Sequence, residues 1–383
     1  MEGCSLPTVE QQSSSWELDS PAPEGSRQHG LSVTSNDKLL FSWVEGIELE
    51  NRVRFSVLED KGWSKPQTIV RTTTKLAASP QVRSFQNGSL AAAWMVSKKQ
   101  TDFRFAAEMY LARSDDGGQH WSAPVIPYSE QARLYNAQMS LSTLKNDELA
   151  LVWTDTRNLK SSNRYQLMAG IVGQDGKINT EWILDDDICS CCTTDIAVKG
   201  KDWLVAYRDH LPGEVRDISL ARLSNGNVTK KIPYNDGWVI SGCPSNGPNV
   251  SWLGSQVMVS WFTAAGGVGR VKVIFSEDNG KTFGPIVELD NNANGYVSAL
   301  LHEQGFGVIA WRGRSGAEEE LRVARVSPDG KIQNKMAIFR GDFARWPSKY
   351  PSLVRAGEEA FVAWTVQGPR VRLAKLPVSM MAN

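Results

Sequence analysis

The sequence predicts an all-β chain folded as a β-propeller with seven four-stranded blades, and two observations predict it. A short β run that ends in an aromatic residue recurs every 50 to 59 residues, a period typical of propeller blades. The terminal aromatics are Trp43, Trp94, Trp153, Tyr207, Trp261, Trp311 and Trp364. The chain is also rich in Trp (14) and Gly (32), which suits repeated short strands with packed aromatics and tight turns.

Each repeat contains the further strands that a blade needs. A strand and a polar turn precede each aromatic run, as in Pro80–Trp94 and Pro248–Trp261, and a third strand follows it. A fourth strand follows in six repeats, but the chain ends after the third strand of the seventh. We therefore expect the segment around Trp16–Leu18 to complete the last blade, which leaves no open sheet edge. Six blades is the alternative if one run is misassigned.

Composition and the N-terminus limit the functional classes. With 42 basic and 42 acidic residues the formal charge is zero, which disfavours nucleic acid as a partner. No apolar stretch approaches the roughly 18 residues of a membrane span, and we expect a monomer. Residues 1–13 are predicted to be a flexible tether and 14–383 a single propeller. Gly3-Cys4 resembles the remnant of a bacterial lipoprotein signal, which implies an exported protein, periplasmic or at the cell surface, with a lipid anchor at Cys4.

Two turns between third and fourth strands have a sharper sequence. Ser114–Trp121 and Ser276–Phe283 both match the Asp-box, S-x-D-x-G-x-T-W/F, and resemble the sialidase-like superfamily. The resemblance implies a propeller. Its enzymes have six blades, an Arg-Ile-Pro motif, three arginines that clamp a carboxylate, a Tyr/Glu nucleophile pair and an acidic Asp. No Arg-Ile-Pro occurs here. The candidates for such catalytic roles are Arg157, Arg208, Arg312, Arg345, Asp209, Tyr135 and Tyr350.

Four of the five cysteines fall on two neighbouring loops. Cys189, Cys191 and Cys192 lie in the loop that enters blade four, and Cys243 lies in the loop that enters blade five. Loops that enter the innermost strands share one face of a propeller, so the four thiols are expected at one side of the channel mouth. The motifs C-x-C-C, Y-R-D, E-V-R-D and G-C-P-x-N-G-P resemble exported bacterial proteins labelled sialidase-like.

Three hypotheses account for the cysteines. The first is two disulfides, one from Cys243 to the C-x-C-C loop and one within that loop. The second is a thiolate site for copper or zinc, with His210 and Asp209 nearby. The third is a redox-active dithiol. Sulfurs about 2.05 Å apart are bonded, whereas sulfurs roughly 3.5 Å apart around one point form a metal cage.

The leading functional prediction is an exported sialidase-like propeller that binds copper or zinc through Cys189, Cys191, Cys192, Cys243 and His210. One alternative is an exo-sialidase-type glycoside hydrolase, and another is a non-catalytic binding propeller whose cysteines staple the loops. The predicted partners are a small molecule, a metal ion or a glycan at the mouth. Arg208 and Asp209 are expected to form an ion pair that stabilises the blade or orients metal ligands.

Overall fold

Seven β-sheet blades form a ring around a central channel. The computed structural model describes residues 16–47, 50–98, 106–129, 132, 134–345 and 347–381. The predicted tether with Cys4 lies outside these residues. The prediction of seven blades is confirmed, and the six-blade alternative is not needed.

The strands follow one another blade by blade. The N-terminal strand is β1 (Glu17–Leu18). Blade one contains β2 (Arg27–Val33), β3 (Leu39–Ile47), β4 (Glu50–Glu59), β5 (Gly62–Trp63) and β6 (Gln67–Thr72). Blade two contains β7 (Gln81–Ser84), β8 (Leu90–Ser97) and β9 (Ala106–Ser114). Blade three contains β10 (Leu134–Thr143), β11 (Leu149–Asp155), β12 (Gln166–Val172) and β13 (Ile178–Asp185).

The second half of the ring is more regular. Blade four contains β14 (Asp195–Lys199), β15 (Asp202–Arg208), β16 (Ile218–Ser224) and β17 (Asn227–Lys231). Blade five contains β18 (Asn249–Leu253), β19 (Gln256–Thr263), β20 (Arg270–Ser276) and β21 (Val287–Asp290). Blade six contains β22 (Ala293–Leu301), β23 (Gly307–Ser315), β24 (Glu318–Val326) and β25 (Ile332–Arg340). Blade seven contains β26 (Ser352–Ala356), β27 (Glu359–Val366) and β28 (Arg370–Lys375).

The ring is closed by pairing the two ends of the described chain. Strand β1 lies antiparallel to β28, with Glu17 opposite Ala374 and Leu18 opposite Leu373. An ion pair between Arg372 and Glu17 supports the same contact. The predicted closure by the N-terminal segment is therefore confirmed, and blade seven has its fourth strand.

Blade two differs from the prediction of four full strands. Its outer segment is reduced to one bridge, Leu111 to Val125, because Pro124 and Pro127 on either side have no N–H to donate to a ladder. At the other end of β9, Ala107 pairs with Leu134 of β10, so blades two and three form one continuous seven-stranded sheet.

The aromatic residues that define the repeat are buried between neighbouring blades. Most of them are Trp, and five indoles are almost fully buried: Trp43, Trp153, Trp261, Trp311 and Trp364. In four of them the indole N–H donates to a carboxylate at 2.6 to 3.0 Å, and the acceptors are Glu45, Asp155, Asp236 and Asp290. Because a buried indole N–H needs a partner, each acid next to its Trp lets the large ring be buried at little polar cost.

The two sharp turns have the hydrogen bonds that their residue types predict. The Ser114 hydroxyl accepts from the Gly118 N–H at 2.8 Å, and Asp116 accepts from the His120 N–H at 2.9 Å. Ser276 and Asp278 bind the equivalent groups of their own turn. These turns follow β9 and β20, the third strands of blades two and five, whereas the cysteine loops precede β14 and β18, the first strands of blades four and five.

Helices are few and short. The described residues contain one α-helix, α1 (Leu159–Ser162), and three 3-10 turns at Lys145–Asp147, Ala265–Gly267 and Val378–Met380. In the part of the chain that the structure describes, none of them has the length and hydropathy to cross a membrane.

Candidate functional site at the channel mouth

The central channel contains a polar cavity of about 320 Å³. Residues of the innermost strands line it, among them His29, Gln81, Arg83, Gln138 and Asp195. Burial raises the pKa of Asp195 to about 6, although the Val250 N–H donates to its carboxylate at 2.9 Å. The cavity is large enough for a small polar ligand and ends beside the loop that carries the three clustered cysteines, since Thr193 and Thr194 also line it.

His29 is buried in the wall of this cavity. Its Nδ1 lies 2.8 Å from the Thr365 hydroxyl, and burial lowers the pKa of the imidazole to about 4. The folded chain therefore takes up a proton at His29 only near pH 4, whereas an unfolded His is protonated from about pH 6.5 downward.

This difference predicts acid sensitivity in a defined pH window. At His29 the unfolded state binds more protons than the native state between pH 6.5 and 4, so the stability that His29 contributes is lost as pH falls through that range. We expect His29 to account for a loss of about 3 kcal/mol between pH 7 and pH 4. Urea unfolding of wild type and His29→Gln at several pH values measures it. His120→Gln, at an exposed turn, serves as the control and should keep the slope. Equal slopes in wild type and His29→Gln would contradict the assignment.

The loop that follows β13 carries three cysteines into the interior. Its main chain is fixed to blade four, because Ile188 bridges Asp209 and the Cys189 N–H donates to the Arg208 carbonyl at 3.1 Å. Cys189, Cys191 and Cys192 are all buried and form a cluster of their own. The sequence prediction that this loop enters the channel mouth agrees with its place in the structure.

The loop between β17 and β18 packs directly on the first loop. Gly247 approaches so closely that a Cβ atom there would lie 1.9 Å from the Thr193 carbonyl oxygen. Asn246, buried next to it, accepts a hydrogen bond from the Tyr296 N–H at 2.7 Å. The Tyr350 hydroxyl donates to the Ser245 carbonyl at 2.7 Å and so ties the loop to blade seven. Cys243 lies on the exposed part of the loop.

The four predicted cysteines meet at this contact. A disulfide joins Cys191 to Cys243, with the Cα atoms 6.0 Å apart, so the predicted bridge between the loops is formed. The second predicted bridge is not formed, because Cys189 and Cys192 are free thiols. The Cys189 sulfur lies 3.3 Å from the Cys192 sulfur and 3.6 Å from the Cys191 sulfur. The sulfurs of Cys189, Cys191 and Cys192 all lie within 4.8 Å of one another.

The two free thiols have opposite electrostatic environments. The hydrogen bond with Cys192 lowers the pKa of Cys189 to about 6 against the effect of burial, with help from the nearby charges of Arg208 and Arg216. Burial raises the pKa of Cys192 well above its ordinary value. Lys349 lies within electrostatic range of Cys192, and burial lowers the pKa of this lysine to about 8. Arg208 and Arg216 thus bring positive charge near Cys189, and Lys349 brings positive charge near Cys192.

Arg208 stabilises this site and is almost completely buried. Its guanidinium donates to the main-chain carbonyls of Arg216, Asn246 and Phe262 at 2.5 to 2.8 Å and stacks on Trp238. The expected ion pair with Asp209 is wrong. The side chain of Asp209 instead accepts from the Ser219 hydroxyl at 2.6 Å and the His210 N–H at 2.8 Å, and burial raises its pKa.

His210 lies between two carboxylates. Its Nδ1 is 2.8 Å from Asp187, and its Nε2 is 3.3 Å from Glu214. In the described residues, the potential metal-binding atoms that lie within 4.8 Å of one another at this site are the sulfurs of the three clustered cysteines, and His210 is not among them. The structure therefore brings the three clustered cysteines together and holds His210 apart from them in an acidic setting.

The other arginine candidates each have separate partners. Arg157 binds Asp155 at 2.8 Å and Glu181 at 2.8 Å, in blade three. Arg312 pairs with Glu319 and lies over the ring of Tyr296. Arg345 is exposed on the loop before blade seven. Arg157 thus belongs to ion pairs within blade three, whereas Arg312 is buried against Tyr296 and Lys349.

The tyrosine candidates differ in how far the structure describes them. Tyr135 belongs to β10, where its main chain pairs with Ala106, and its side chain lies outside the described part of the chain. Tyr350 is tied by its hydroxyl to the loop of Cys243, and burial raises its pKa. Tyr350 thus braces the cysteine site.

Sequence reasoning missed Lys349 and Tyr296 as neighbours of the thiols. Lys349 lies over the Tyr296 ring at 4.7 Å and donates to the Ser245 carbonyl at 3.0 Å. Lys349 precedes the innermost strand of blade seven, and Tyr296 belongs to the innermost strand of blade six. Their positions within the repeat, at or just before an innermost strand, place them on the same face as the cysteine loops. The sequence could have identified them by that position.

Comparison with known proteins supports the fold and gives no closer relative. No protein-family model and no curated protein matches the sequence. Among solved structures, a PL25 polysaccharide lyase, an ulvan lyase bound to -[GlcA(1-4)Rha3S]-, superposes with a TM-score of 0.62 at 10% identity, over 98% of this chain and 100% of that chain. The α-L-arabinofuranosidase Arb93A of Fusarium graminearum superposes with a TM-score of 0.53 at 13% identity, over 97% and 99%.

The predicted propeller fold is confirmed by the structure and by its similarity to these two solved structures. The NanB sialidase of Streptococcus pneumoniae also matches, at 12% identity over 98% of this chain and 71% of that chain, but its TM-score of 0.47 carries no argument. At identities of 10 to 13%, such likeness shows a shared architecture and says nothing of chemistry.

Proposed function

We propose that the cysteine cluster binds a soft metal ion, Cu(I) or Zn(II), at the channel mouth of a propeller with a fold that glycoside hydrolases share. The observation that carries the proposal is the convergence of three buried sulfurs, from Cys189, Cys191 and Cys192, within 4.8 Å of one another. Sulfurs bound to one tetrahedral zinc ion are about 3.8 Å apart, given a Zn–S distance of about 2.3 Å. The observed 3.3 and 3.6 Å need only a small expansion.

The donor set and its surroundings favour a soft ion. Thiolate ligands select Cu(I) and zinc over the hard cations, which prefer oxygen. Two thiols are free in the bridged form, and reduction of the Cys191–Cys243 bond supplies two more. Arg208, Arg216 and Lys349 supply positive charge that offsets the negative charge of a buried thiolate cage.

Metal titration of the reduced chain tests the proposal. The parent for all variants is Cys4→Ser, so that every remaining thiol belongs to the cluster. We expect the anaerobically reduced protein to bind one Cu(I) or Zn(II) per chain against a chromophoric chelator. Cys192→Ser should lower the affinity by about 100-fold or more, because it removes a buried ligand. Ser190→Ala, between two of the ligands, is the matched control and should bind as the parent does.

The alternative of a loop staple gives a different result in the same experiment. If the cysteines only join the loops, the reduced parent binds less than one ion per chain with four reactive thiols, and Cys243→Ser lowers stability without any change in bound metal. Binding of less than one ion per chain by the reduced parent overturns the metal proposal.

A glycan-directed activity is the second candidate, favoured by the polar cavity in the channel. The structural neighbours named above act on polysaccharide and on arabinofuranosides, which makes a saccharide a reasonable ligand class for a cavity of about 320 Å³. The sialidase form of this candidate has less support, because Arg157 and Arg312 are each engaged by acidic partners. Turnover of fluorogenic sialosides and arabinofuranosides by the parent would establish it, and no turnover of either would dismiss it.

A further inference from the structure

We propose that the four cysteines also carry out dithiol–disulfide exchange, passing two electrons from the buried pair Cys189 and Cys192 through the Cys191–Cys243 bridge to a disulfide of an outside partner. This activity goes beyond the proposed metal site and does not rest on it. The cluster holds both reactants of such an exchange in one place, a disulfide and a free dithiol.

The first argument is distance. The Cys189 sulfur lies 3.6 Å from the Cys191 sulfur, which is already bonded to Cys243. Reacting atoms held about 3 to 3.5 Å apart approach the geometry of attack, and exchange proceeds by a thiolate attacking one sulfur of a disulfide.

The internal steps balance without an outside oxidant. The Cys189 thiolate attacks the Cys191 sulfur, a Cys189–Cys191 bond forms, and Cys243 leaves as a thiolate with the electron pair of the broken bond. Cys192 then loses its proton and attacks the Cys189 sulfur at 3.3 Å, which releases Cys191 as a thiolate. The disulfide has moved to Cys189–Cys192, and the two protons lost there are taken up at Cys191 and Cys243.

The second argument is the position of Cys243 at the surface. Cys189, Cys191 and Cys192 are buried, whereas Cys243 is exposed. An outside disulfide can therefore be reached by the Cys243 thiolate, which forms a mixed disulfide and releases one partner thiol. The Cys191 thiolate resolves the mixed disulfide, restores the Cys191–Cys243 bond and releases the second thiol. In sum the Cys189–Cys192 dithiol is oxidised and the partner disulfide is reduced.

The third argument is chain spacing. Cys189 and Cys192 are separated by two residues, a C-x-x-C pair that can close a disulfide within one loop, and their sulfurs already face each other. Cys191 lies between them in sequence and bonds outward to the second loop. The buried pair and the exposed bridge are thus connected by a single sulfur.

The test uses the full-length Cys4→Ser chain, metal-free with a chelator present, and hydroxyethyl disulfide as the probe. After anaerobic incubation, acid quenching and alkylation, the bonds are mapped by mass spectrometry. We expect a Cys189–Cys192 disulfide, two equivalents of mercaptoethanol released per chain, and release slowed roughly tenfold or more in Cys243→Ser, which loses the exposed sulfur. Cys189 and Cys192 that remain fully alkylated, or that oxidise equally fast in Cys243→Ser, would overturn the proposal.

A second variant keeps the outcome decisive if Cys243→Ser folds poorly. Cys192→Ser retains the exposed sulfur and the first attacking thiol but lacks the resolving one. Exchange should therefore stop at a Cys189–Cys191 bond, with Cys243 in a mixed disulfide with mercaptoethanol and one equivalent of mercaptoethanol released. If mass spectrometry finds only the Cys191–Cys243 bond in this variant, the proposed exchange is overturned. Because no metal is present, failure here leaves the metal titration unaffected, and failure of that titration leaves this result unaffected.

Discussion

Replacing Arg208 by Met is expected to lower the free energy of unfolding by about 4 kcal/mol. Arg208 donates to carbonyls of three separate segments, at Arg216, Asn246 and Phe262. Methionine fills much of the same volume but has no donor, so these buried carbonyls lose their partners. Each unsatisfied buried group costs about 1 to 3 kcal/mol.

The measurement is urea unfolding of the full chain with a matched arginine control. Arg345→Met changes an exposed side chain and should stay within about 0.5 kcal/mol of wild type. Arg208→Lys keeps the charge but cannot donate in three directions through a planar fork, and it should fall between the two. A stability of Arg208→Met equal to that of Arg345→Met would show that the three carbonyls find other donors.

Loss of Arg208 should also be visible at the cysteines. The guanidinium joins the loop of Cys243, through Asn246, to blade four and blade five. Without it the contact between the two cysteine loops loosens, and the buried thiols of Cys189 and Cys192 should react faster with a thiol reagent in the folded protein. Unchanged reaction rates would limit the role of Arg208 to stability.

The fold could be predicted from the sequence because one local pattern repeats seven times. Each buried Trp ends a short apolar run, and the recurrence alone counts the blades. The closing strand at Glu17–Leu18 followed from the missing fourth strand of the last repeat. The weak fourth strand of blade two was missed, although Pro124 and Pro127 were the local signal against a full ladder.

The site could be predicted only in part. The position of a loop within the repeat shows on which face of the propeller the loop lies. The sequence could therefore place the four cysteines of two separate loops together. Their pairing could not be predicted, since any of the three loop cysteines can reach Cys243 by spacing alone. The pair Arg208 and Asp209 was misassigned because consecutive residues of an extended chain, here the last residue of β15 and the one after it, point to opposite faces. Arg208 therefore meets carbonyls, and Asp209 meets Ser219.

A second large effect is expected from Gly247→Ala, which should lower the free energy of unfolding by about 3 kcal/mol or more. The added Cβ would lie 1.9 Å from the Thr193 carbonyl oxygen and 2.3 Å from its hydroxyl oxygen. Since main-chain atoms of both loops meet here, no side-chain rotation can relieve the clash, and the loops must separate.

Separation of these loops acts on the cysteines directly. Thr193 follows Cys192, and Gly247 lies four residues after Cys243. The clash therefore separates the two loops close to the Cys191–Cys243 disulfide that joins them. We therefore expect faster reaction of Cys189 and Cys192 with a thiol reagent, together with the lower stability. Gly242→Ala is the matched control, because it lies in the same loop with open space around its Cβ position. Gly242→Ala should match wild type in stability and in thiol reactivity. If Gly247→Ala is as stable as Gly242→Ala, the two loops are not in such close contact at Gly247.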